Sequence, residues 1–356
     1  MSAFSPLPSV EFHGMVKRGD MEGVRRLLMS SDYHRFDINC YDRGGRTALM
    51  YAVESAAAGV DMVEMLLDHG AQIHLRAREP AVVQGDAFVL SLLSGDPAKV
   101  ELLLKRGAQI NYRYDAGYTA LLYAVHGRDL LRDTRLISLL RLLVKKGVDL
   151  NAITVHRESA LRVLSRICRF DAVQFLLDSG AQENQLAWTP LIRAVALGSL
   201  EDVQRLVESR SGLEDRDWWS RTAFLVAVQC GDIAKASMLI ESGCDPTVCG
   251  RGEKPAIFYA IENRQPQMLE WLLDGGASIE QADEYGTTPL ALAVEVADEK
   301  AVDILIRRGA DVNRRPGGFG YLNCALDAKV IRRLLDAGAD PSELSSEGRR
   351  ALSGLE

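Results

Sequence analysis

A six-residue phrase, Leu-Leu-x-x-Gly-Ala, recurs along almost the whole chain, with two degenerate copies that begin at Leu27 and Leu206. The first Leu of each copy lies at position 27, 66, 103, 143, 176, 206, 239, 272, 305 or 334, and four of the nine intervals are 33 residues. A period of this size predicts a repeat protein, in which no unit buries its apolar face alone and each unit stacks on its neighbours.

A second phrase, which begins with threonine, lies 17 to 24 residues upstream of five copies: TALMYAV (Thr47), TALLYAV (Thr119), TPLIRAV (Thr189), TAFLVAV (Thr222) and TTPLALAV (Thr287). Threonine caps helix N-termini, so each Thr phrase predicts a short first helix. The apolar spacing of DMVEMLLDHGA predicts a longer second helix, which ends at the Gly of the repeated phrase because Gly adopts the left-handed conformation cheaply.

These two phrases resemble the ankyrin repeat, a 33-residue unit of two helices and a hairpin, over roughly Val10 to Pro341. The resemblance implies an all-α ankyrin-repeat solenoid of stacked helix-turn-helix units with short β-hairpin fingers. It also implies a concave face, lined by the finger tips and by the ends of the first helices, that binds another protein.

The predicted organisation is an N-terminal leader over residues 1–9, a solenoid of about ten units over 10–341, and a tail over 342–356 that either caps the stack or frays. Seven extra residues, around Arg128 to Arg135, separate the two helices of the fourth unit. The segment from Val10 to Gly107 also resembles the first ankyrin units of the short transient receptor potential channels. Channel function does not carry over, because no membrane segments accompany that likeness.

The composition of the chain argues against several classes of function. The chain of 356 residues carries 42 Lys and Arg against 49 Asp and Glu, a net charge of −7, which argues against direct nucleic-acid binding. Six scattered cysteines form no disulfide framework, and neither a signal peptide nor an 18-residue apolar stretch occurs. We expect a cytoplasmic monomer, with the nucleus as an alternative location.

The chain contains no motif typical of catalysis or of metal binding. It has no phosphate-binding glycine loop, no HExxH and no CxxC, and Cys244 and Cys249 have no matching His or Cys pair. Arg18-Gly19-Asp20 matches an adhesion tripeptide, but the same slot reads CGD and SGD elsewhere, which indicates the turn between two helices. We therefore expect no enzyme activity, no cofactor and no metal.

The resemblance assigns residues to the concave face by their place in the repeat. The aromatic and charged ones that we select as partner-binding residues are Trp188, Trp218, Trp219, Arg221, Tyr285, Glu284, Arg251 and Tyr118. Aromatic and Arg side chains are the usual anchors of protein interfaces. Adjacent residues of an extended finger point to opposite sides, so only one of Trp218 and Trp219 should pack inward.

Three functions remain open. The first is an adaptor or regulatory subunit that binds a partner protein, as an inhibitor or a transcriptional co-regulator. The second is a microbial immunity protein that blocks a toxin enzyme, and the third is a ligand-binding or enzymatic module on the same scaffold. The fold by itself does not distinguish among them.

Overall fold

The computed structural model describes residues 7–30, 37–78, 85–127, 134–208 and 212–353. The chain divides into two compact units. Unit 1 consists of Met1–Leu164 and Asp171–Gln182, and unit 2 of Ser165–Phe170 and Glu183–Glu356. The expectation of one stack over residues 10–341 stays a prediction.

The described residues form twenty-one α-helices joined by short turns. The first ten are α1 (Leu7–Arg18), α2 (Met21–Leu28), α3 (Ala48–Glu54), α4 (Val60–Asp68), α5 (Ala87–Ser94), α6 (Pro97–Lys105), α7 (Ala120–Ala124), α8 (Leu136–Lys145), α9 (Ala160–Arg166) and α10 (Phe170–Asp178). The others, all in unit 2, are α11 (Pro190–Leu197), α12 (Leu200–Val207), α13 (Ala223–Cys230), α14 (Ile233–Glu241), α15 (Ala256–Glu262), α16 (Pro266–Asp274), α17 (Pro289–Glu295), α18 (Glu299–Arg307), α19 (Tyr321–Cys324), α20 (Ala328–Asp336) and α21 (Ser346–Ser353). Short 3₁₀ turns lie at Asp115–Gly117, Glu183–Leu186, Pro316–Gly318 and Pro341–Glu343.

The helices are paired as the repeat predicts. In unit 2 the first helix of each pair packs on the second, as α13 does on α14 and α17 on α18. First helices also pack on the first helices of neighbouring pairs, α11 on α13, α13 on α15 and α15 on α17. This layering confirms the predicted all-α stack of helix-turn-helix units.

The repeated Leu is the centre of this packing. Its side chain is buried in eight copies, and in Leu239 it has no exposed surface. The degenerate copies differ by one position: Leu27 and Leu206 are half-buried, and the following residues, Leu28 and Val207, are buried instead. The buried position therefore shifts where the repeated phrase is lost.

Three of the five predicted threonines cap helices, whereas Thr119 precedes α7 without a side-chain hydrogen bond and Thr288 caps α17 in place of Thr287. Thr47, Thr189 and Thr222 cap α3, α11 and α13, and each hydroxyl accepts a hydrogen bond from the backbone N–H three residues later. At the other end, Gly243 and Gly309 follow α14 and α18 with φ of +104° and +90°. Residues with a Cβ atom rarely adopt this backbone conformation, so the predicted role of these glycines in ending the helices is confirmed.

The fingers, which are the segments that join one helix pair to the next, are hydrogen-bonded turns. No β-strand occurs in residues 7–30, 37–78, 85–127, 134–208 and 212–353. The hairpins of the prediction therefore form as turns and not as paired strands. One backbone bond joins successive fingers: the N–H of Arg78 donates to Gly45, that of Val155 to Ala116, and that of Glu284 to Gly252, over 2.8 to 3.0 Å.

Both ends of the described chain are helical. Helix α1 begins at Leu7, inside the predicted leader. In the predicted tail, α21 packs on α19 and α20. The insertion expected around Arg128 to Arg135 lies mostly outside the described residues. No helix in the described ranges is long and apolar enough to cross a membrane.

Candidate functional site

The finger between α12 and α13 carries three of the predicted residues, and an aspartate shapes it. One carboxylate oxygen of Asp217 accepts the backbone N–H groups of Trp219 and Arg221, both at 2.9 Å. The same arrangement recurs at Asp42 and Asp283. Because the carboxylate satisfies two N–H groups of the turn, it sets the turn geometry that places Trp219. This role of Asp217 was not predicted from the sequence.

Arg221 is not at the surface, which corrects the prediction that it faces a partner. Its side chain is buried, with the whole residue 1% exposed. The guanidinium forms a salt bridge with Asp217, donates to the backbone carbonyl of Ser165 at 2.9 Å and to the Ser165 hydroxyl at 2.6 Å, and bonds Gln229. A buried charge is stable only when its donors are hydrogen-bonded, as those of Arg221 are. The Arg221 side chain therefore belongs to the interior, where it holds the finger in place.

The bond between Arg221 and Gln229 belongs to a pairing that recurs in other fingers. The residue before the helix cap bonds the residue eight positions later, at the end of the same first helix: Arg46 bonds Glu54, Arg221 bonds Gln229, and Lys254 bonds Glu262. Of the members of these pairs, only Arg221 was selected as a partner-binding residue from the sequence. The members of each pair instead satisfy one another, and the i, i+8 spacing of complementary side chains is the signal that would have shown this.

The indole of Trp219 is half-buried and lies beside two guanidinium groups. The Arg166 guanidinium carbon is 5.1 Å from the ring centroid, and that of Arg251 is 5.9 Å from it. Both distances are within the range of cation–π attraction. Arg166 and Arg251 are exposed, so the charged groups at this ring are accessible to solvent.

Trp218 and Trp188 are placed differently. Trp218 is half-buried, and its backbone N–H donates to Leu186 at 3.0 Å, which joins two fingers. Trp188 packs edge-on against Phe170 at a centroid distance of 5.8 Å, and its indole nitrogen is buried. Both adjacent tryptophans, Trp218 and Trp219, are half-buried, so their burial does not distinguish them, and the expectation that only one of them packs inward stays a prediction.

The next fingers present the most exposed aromatic residue of this surface. Tyr285 is 80% exposed, and its neighbour Glu284 is also exposed. A hydrogen bond from the Tyr285 hydroxyl to Glu284, together with that negative charge, raises the pKa of Tyr285. The fingers of Trp219 and Arg251 are tied by Arg216, whose guanidinium donates to the carbonyl of Cys249 at 2.8 Å.

These residues define the Trp219 patch, which consists of Arg166, Trp219, Arg251, Glu284 and Tyr285, all in unit 2. The backbone bonds between fingers and the buried Arg221 network hold it in a fixed arrangement. The patch combines a half-buried indole and an exposed phenol ring with charged groups on either side. Such a surface is suited to binding another protein.

Tyr118 belongs to unit 1 and to a separate cluster. Its hydroxyl donates to Glu158 at 2.9 Å, and its ring lies 5.4 Å from Tyr123 and 5.7 Å from His126. The residue is half-buried, and its polar atom is already hydrogen-bonded within unit 1. Its assignment to a partner interface stays a prediction. No group of three or more His, Cys, Asp or Glu among the described side chains could hold a metal ion.

Comparison with known families gives three matches to one family. The family model of ankyrin repeats matches residues 12–77, 163–249 and 224–316. These segments make up more than half of the chain, and they include every residue of the Trp219 patch.

Known relatives are similar at low identity. The E3 ubiquitin-protein ligase KEG of Arabidopsis thaliana is 26% identical over 355 residues, which cover 91% of this chain and 21% of the ligase. Ankyrin repeat protein nuc-2 of Neurospora crassa is 27% identical over 48% of this chain and 16% of its own length. B-cell lymphoma 3 protein of Homo sapiens is 32% identical over 35% of this chain and 29% of its own length. The chain thus spans less than a third of each of these relatives.

Proposed function

The chain belongs to the ankyrin-repeat family, and from that premise we propose that it is a non-enzymatic adaptor that binds a partner protein through the Trp219 patch. Ankyrin repeats are a protein-interaction module. We further propose a regulatory role, in which binding inhibits or recruits the partner, in the cytoplasm or the nucleus. The chain acts as a monomer in this proposal.

The observation that carries the proposal is the exposure of Tyr285 on a finger that is hydrogen-bonded to the finger of Arg251, whose guanidinium lies beside the half-buried Trp219. An aromatic ring that is 80% exposed contributes little to the fold, whereas rings of this kind often dominate interface energies. The Asp217 and Asp283 turns and the bonds between fingers hold the backbone of these fingers in place before binding, which lowers the entropy cost of association.

The test compares capture of native partners by the full chain and by two variants, Trp219→Ala and Tyr285→Ala. The chain is tagged and incubated with lysate of its source cells, and the recovered proteins are quantified by mass spectrometry. Truncation of an anchor in the interface centre typically costs more than about 2 kcal/mol, so recovery of a true partner should fall about thirtyfold. Circular dichroism and thermal melting verify that each variant is folded.

Met29→Ala is the matched control. Met29 is a large apolar residue in unit 1 that is 73% exposed, and it lies outside the patch. The control should leave recovery unchanged. Equal recovery of every captured protein by the wild type and by both patch variants would contradict the proposal, as would a loss that Met29→Ala reproduces.

A further inference from the structure

Two of the six cysteines, Cys168 and Cys230, meet in unit 2, and both are present as thiols. They are 62 positions apart in the chain, yet their Sγ atoms lie 3.9 Å apart, within hydrogen-bond distance for two thiols. A disulfide bond is about 2 Å long, so the two sulfur atoms need to approach by only about 2 Å. Each Sγ moves when its side chain turns about the Cα–Cβ bond, and this rotation can supply the approach.

Hydrogen bonds next to the two thiols hold them at this position. The Ser165 carbonyl and hydroxyl accept bonds from Arg221 at 2.9 and 2.6 Å. Next along the chain, the Arg166 carbonyl accepts a bond from the Gln229 side-chain amide at 2.6 Å. The contact between the thiols continues this row. Because the bonds fix the residues that precede each cysteine, the thiols stay adjacent in the folded protein, which favours reaction between them.

The two thiols differ in reactivity. The hydrogen bond with Cys168, followed by burial and the charge of the Cys168 thiolate, raises the pKa of Cys230 well above its ordinary value. The thiolate is the nucleophilic form of cysteine, so Cys168 reacts first. Cys168 is only half-buried, so a small oxidant such as hydrogen peroxide can reach it from solvent.

We propose that Cys168 and Cys230 form a reversible disulfide bond when a hydroperoxide oxidises the protein. The bond joins the segment Ser165–Phe170 to the end of α13 and closes a loop that spans 62 positions. A crosslink of this kind stabilises a protein mainly by restricting the unfolded chain. Oxidation therefore raises the stability of unit 2, and reduction of the bond reverses the gain.

The reaction has two steps. The Cys168 thiolate attacks one oxygen of hydrogen peroxide, the O–O bond breaks, and the departing hydroxide takes up a proton, which leaves a sulfenic acid and one water. The Cys230 thiolate then attacks that sulfur, the S–O bond breaks, and a second water leaves as the S–S bond forms. Two electrons pass from the thiols to the peroxide. The charges of Lys235 and Arg221 lower the pKa of Cys230 and so favour the thiolate that the second step requires.

The first test maps the bonds that form when the full chain is treated with hydrogen peroxide. Remaining thiols are alkylated at once, and linked peptides are quantified by mass spectrometry. In the native protein the Cys168–Cys230 linkage should be at least tenfold more abundant than any other. In concentrated urea the Cys244–Cys249 linkage should dominate, because those residues are only five positions apart and an unfolded chain closes short loops more readily. A Cys168–Cys230 linkage no more abundant in native than in urea-treated protein would overturn the inference.

Dimedone, a reagent for sulfenic acids, tests the order of the two steps. In Cys230→Ser no thiol at that position attacks the Cys168 sulfenic acid, so dimedone labelling of Cys168 should rise at least tenfold over the wild type. Labelling of Cys324, an exposed thiol, should be the same in both proteins. Circular dichroism verifies that the variant is folded, and the mapping of wild-type protein does not depend on it. Equal labelling of Cys168 in the two proteins would refute the first step.

Urea unfolding measures the consequence of the bond. Oxidised wild-type protein should unfold at a higher urea concentration than reduced protein, and dithiothreitol should restore the lower midpoint. Cys324→Ser is the matched control and should keep this shift, whereas Cys230→Ser should lose it. An unchanged midpoint in protein that carries the mapped disulfide, or an equal shift in Cys230→Ser, would contradict the stabilising role.

Discussion

Residues at equivalent positions of the repeat differ in how deeply their side chains are buried. The residue before the helix cap is Arg46 in one finger, Arg221 in another and Lys254 in a third. Arg46 and Lys254 are half-buried, whereas Arg221 is fully buried, because the Ser165 backbone and hydroxyl supply further acceptors. The hydrogen-bond partners around this position determine whether its charged side chain is buried or remains partly exposed.

Arg221→Met should destabilise the protein by about 3–5 kcal/mol, because it removes the salt-bridge partner of the buried Asp217 side chain. Urea unfolding measures the change. Lys254→Met is the matched control from the same slot; its partly exposed salt bridge with Glu262 should contribute about 1 kcal/mol or less. Equal losses in the two variants would contradict the structural role of Arg221.

Tyr51 makes unit 1 sensitive to alkaline pH. Its hydroxyl donates to Asp42 at 2.7 Å. Burial, followed by this bond and the Asp42 charge, raises the pKa of Tyr51 from 10.0 to about 12. Folding therefore favours the protonated phenol, and this stabilisation is complete below pH 10.0 and is lost as pH rises through about 12.

Wild-type protein should consequently lose stability more steeply than Tyr51→Phe between pH 10 and 12. Urea unfolding midpoints of the two proteins, measured at intervals from pH 8 upward, provide the comparison. Other buried tyrosines contribute equally to both curves, so the difference isolates Tyr51. Parallel curves would show that the Asp42 bond does not couple to folding.

At the scale of helices, a buried lysine, Lys99, and a half-buried lysine, Lys235, link neighbouring helix pairs. The Lys99 ammonium donates to the carbonyls of Ala52 at 2.9 Å and Ser55 at 2.7 Å, at the end of α3. Lys235 makes equivalent bonds to Val195 and Gly198 at the end of α11. A positive charge at a helix C-terminus also interacts favourably with the helix dipole.

Lys99→Met should destabilise the protein by about 1–3 kcal/mol, since the carbonyls at the end of α3 lose their donor. Burial lowers the pKa of Lys99, which shows that desolvation opposes part of this gain. Lys105→Met removes an exposed lysine from the same helix and should change stability by less than about 0.5 kcal/mol. Chemical denaturation of both variants would decide the matter, and a neutral Lys99→Met would refute the capping role.

Glycine stops provide a second test at this scale. Gly243→Ala should destabilise the protein by about 1 kcal/mol, because φ is +104° while the added Cβ would meet no atom within 4 Å. Gly275, at the end of α16, has φ of −78°, so Gly275→Ala should be neutral or slightly stabilising. Thermal or urea unfolding in which both changes had the same effect would exclude a conformational origin.

At the scale of the whole chain, each compact unit is a set of helices that depend on their neighbours. In unit 2, α14 packs on both α12 and α13, so Leu239 on α14 stabilises a core shared among them. Repeat proteins of this kind gain stability from contacts between adjacent helix pairs. A substitution that disrupts the core of one helix pair should therefore also destabilise the next pair.

Leu239→Ala should cost about 2–5 kcal/mol, the range for a fully buried leucine. Amide hydrogen exchange should accelerate in α12 and α13 as well as in α14. Faster exchange confined to α14 would show that the helices of unit 2 do not share one core.

The helical repeat follows from local chemistry and could be predicted from the chain alone. Thr47 caps a helix, Gly243 ends one, and the repeated Leu is buried at the predicted period, because each depends on backbone preference or on spacing along a single helix. The degenerate copies at Leu27 and Leu206 mark where that spacing shifts by one residue.

Exposure within the fingers was decided by the tertiary structure. Arg221 and Arg251 are both finger arginines, yet Ser165 and Gln229 enclose the first while the second remains exposed beside Trp219. Residues from several helix pairs determine each outcome, and no local pattern encodes which side chains they bring together. For this reason the sequence predicted the repeat and its helix ends correctly but misplaced Arg221, whose environment exists only after the units have stacked.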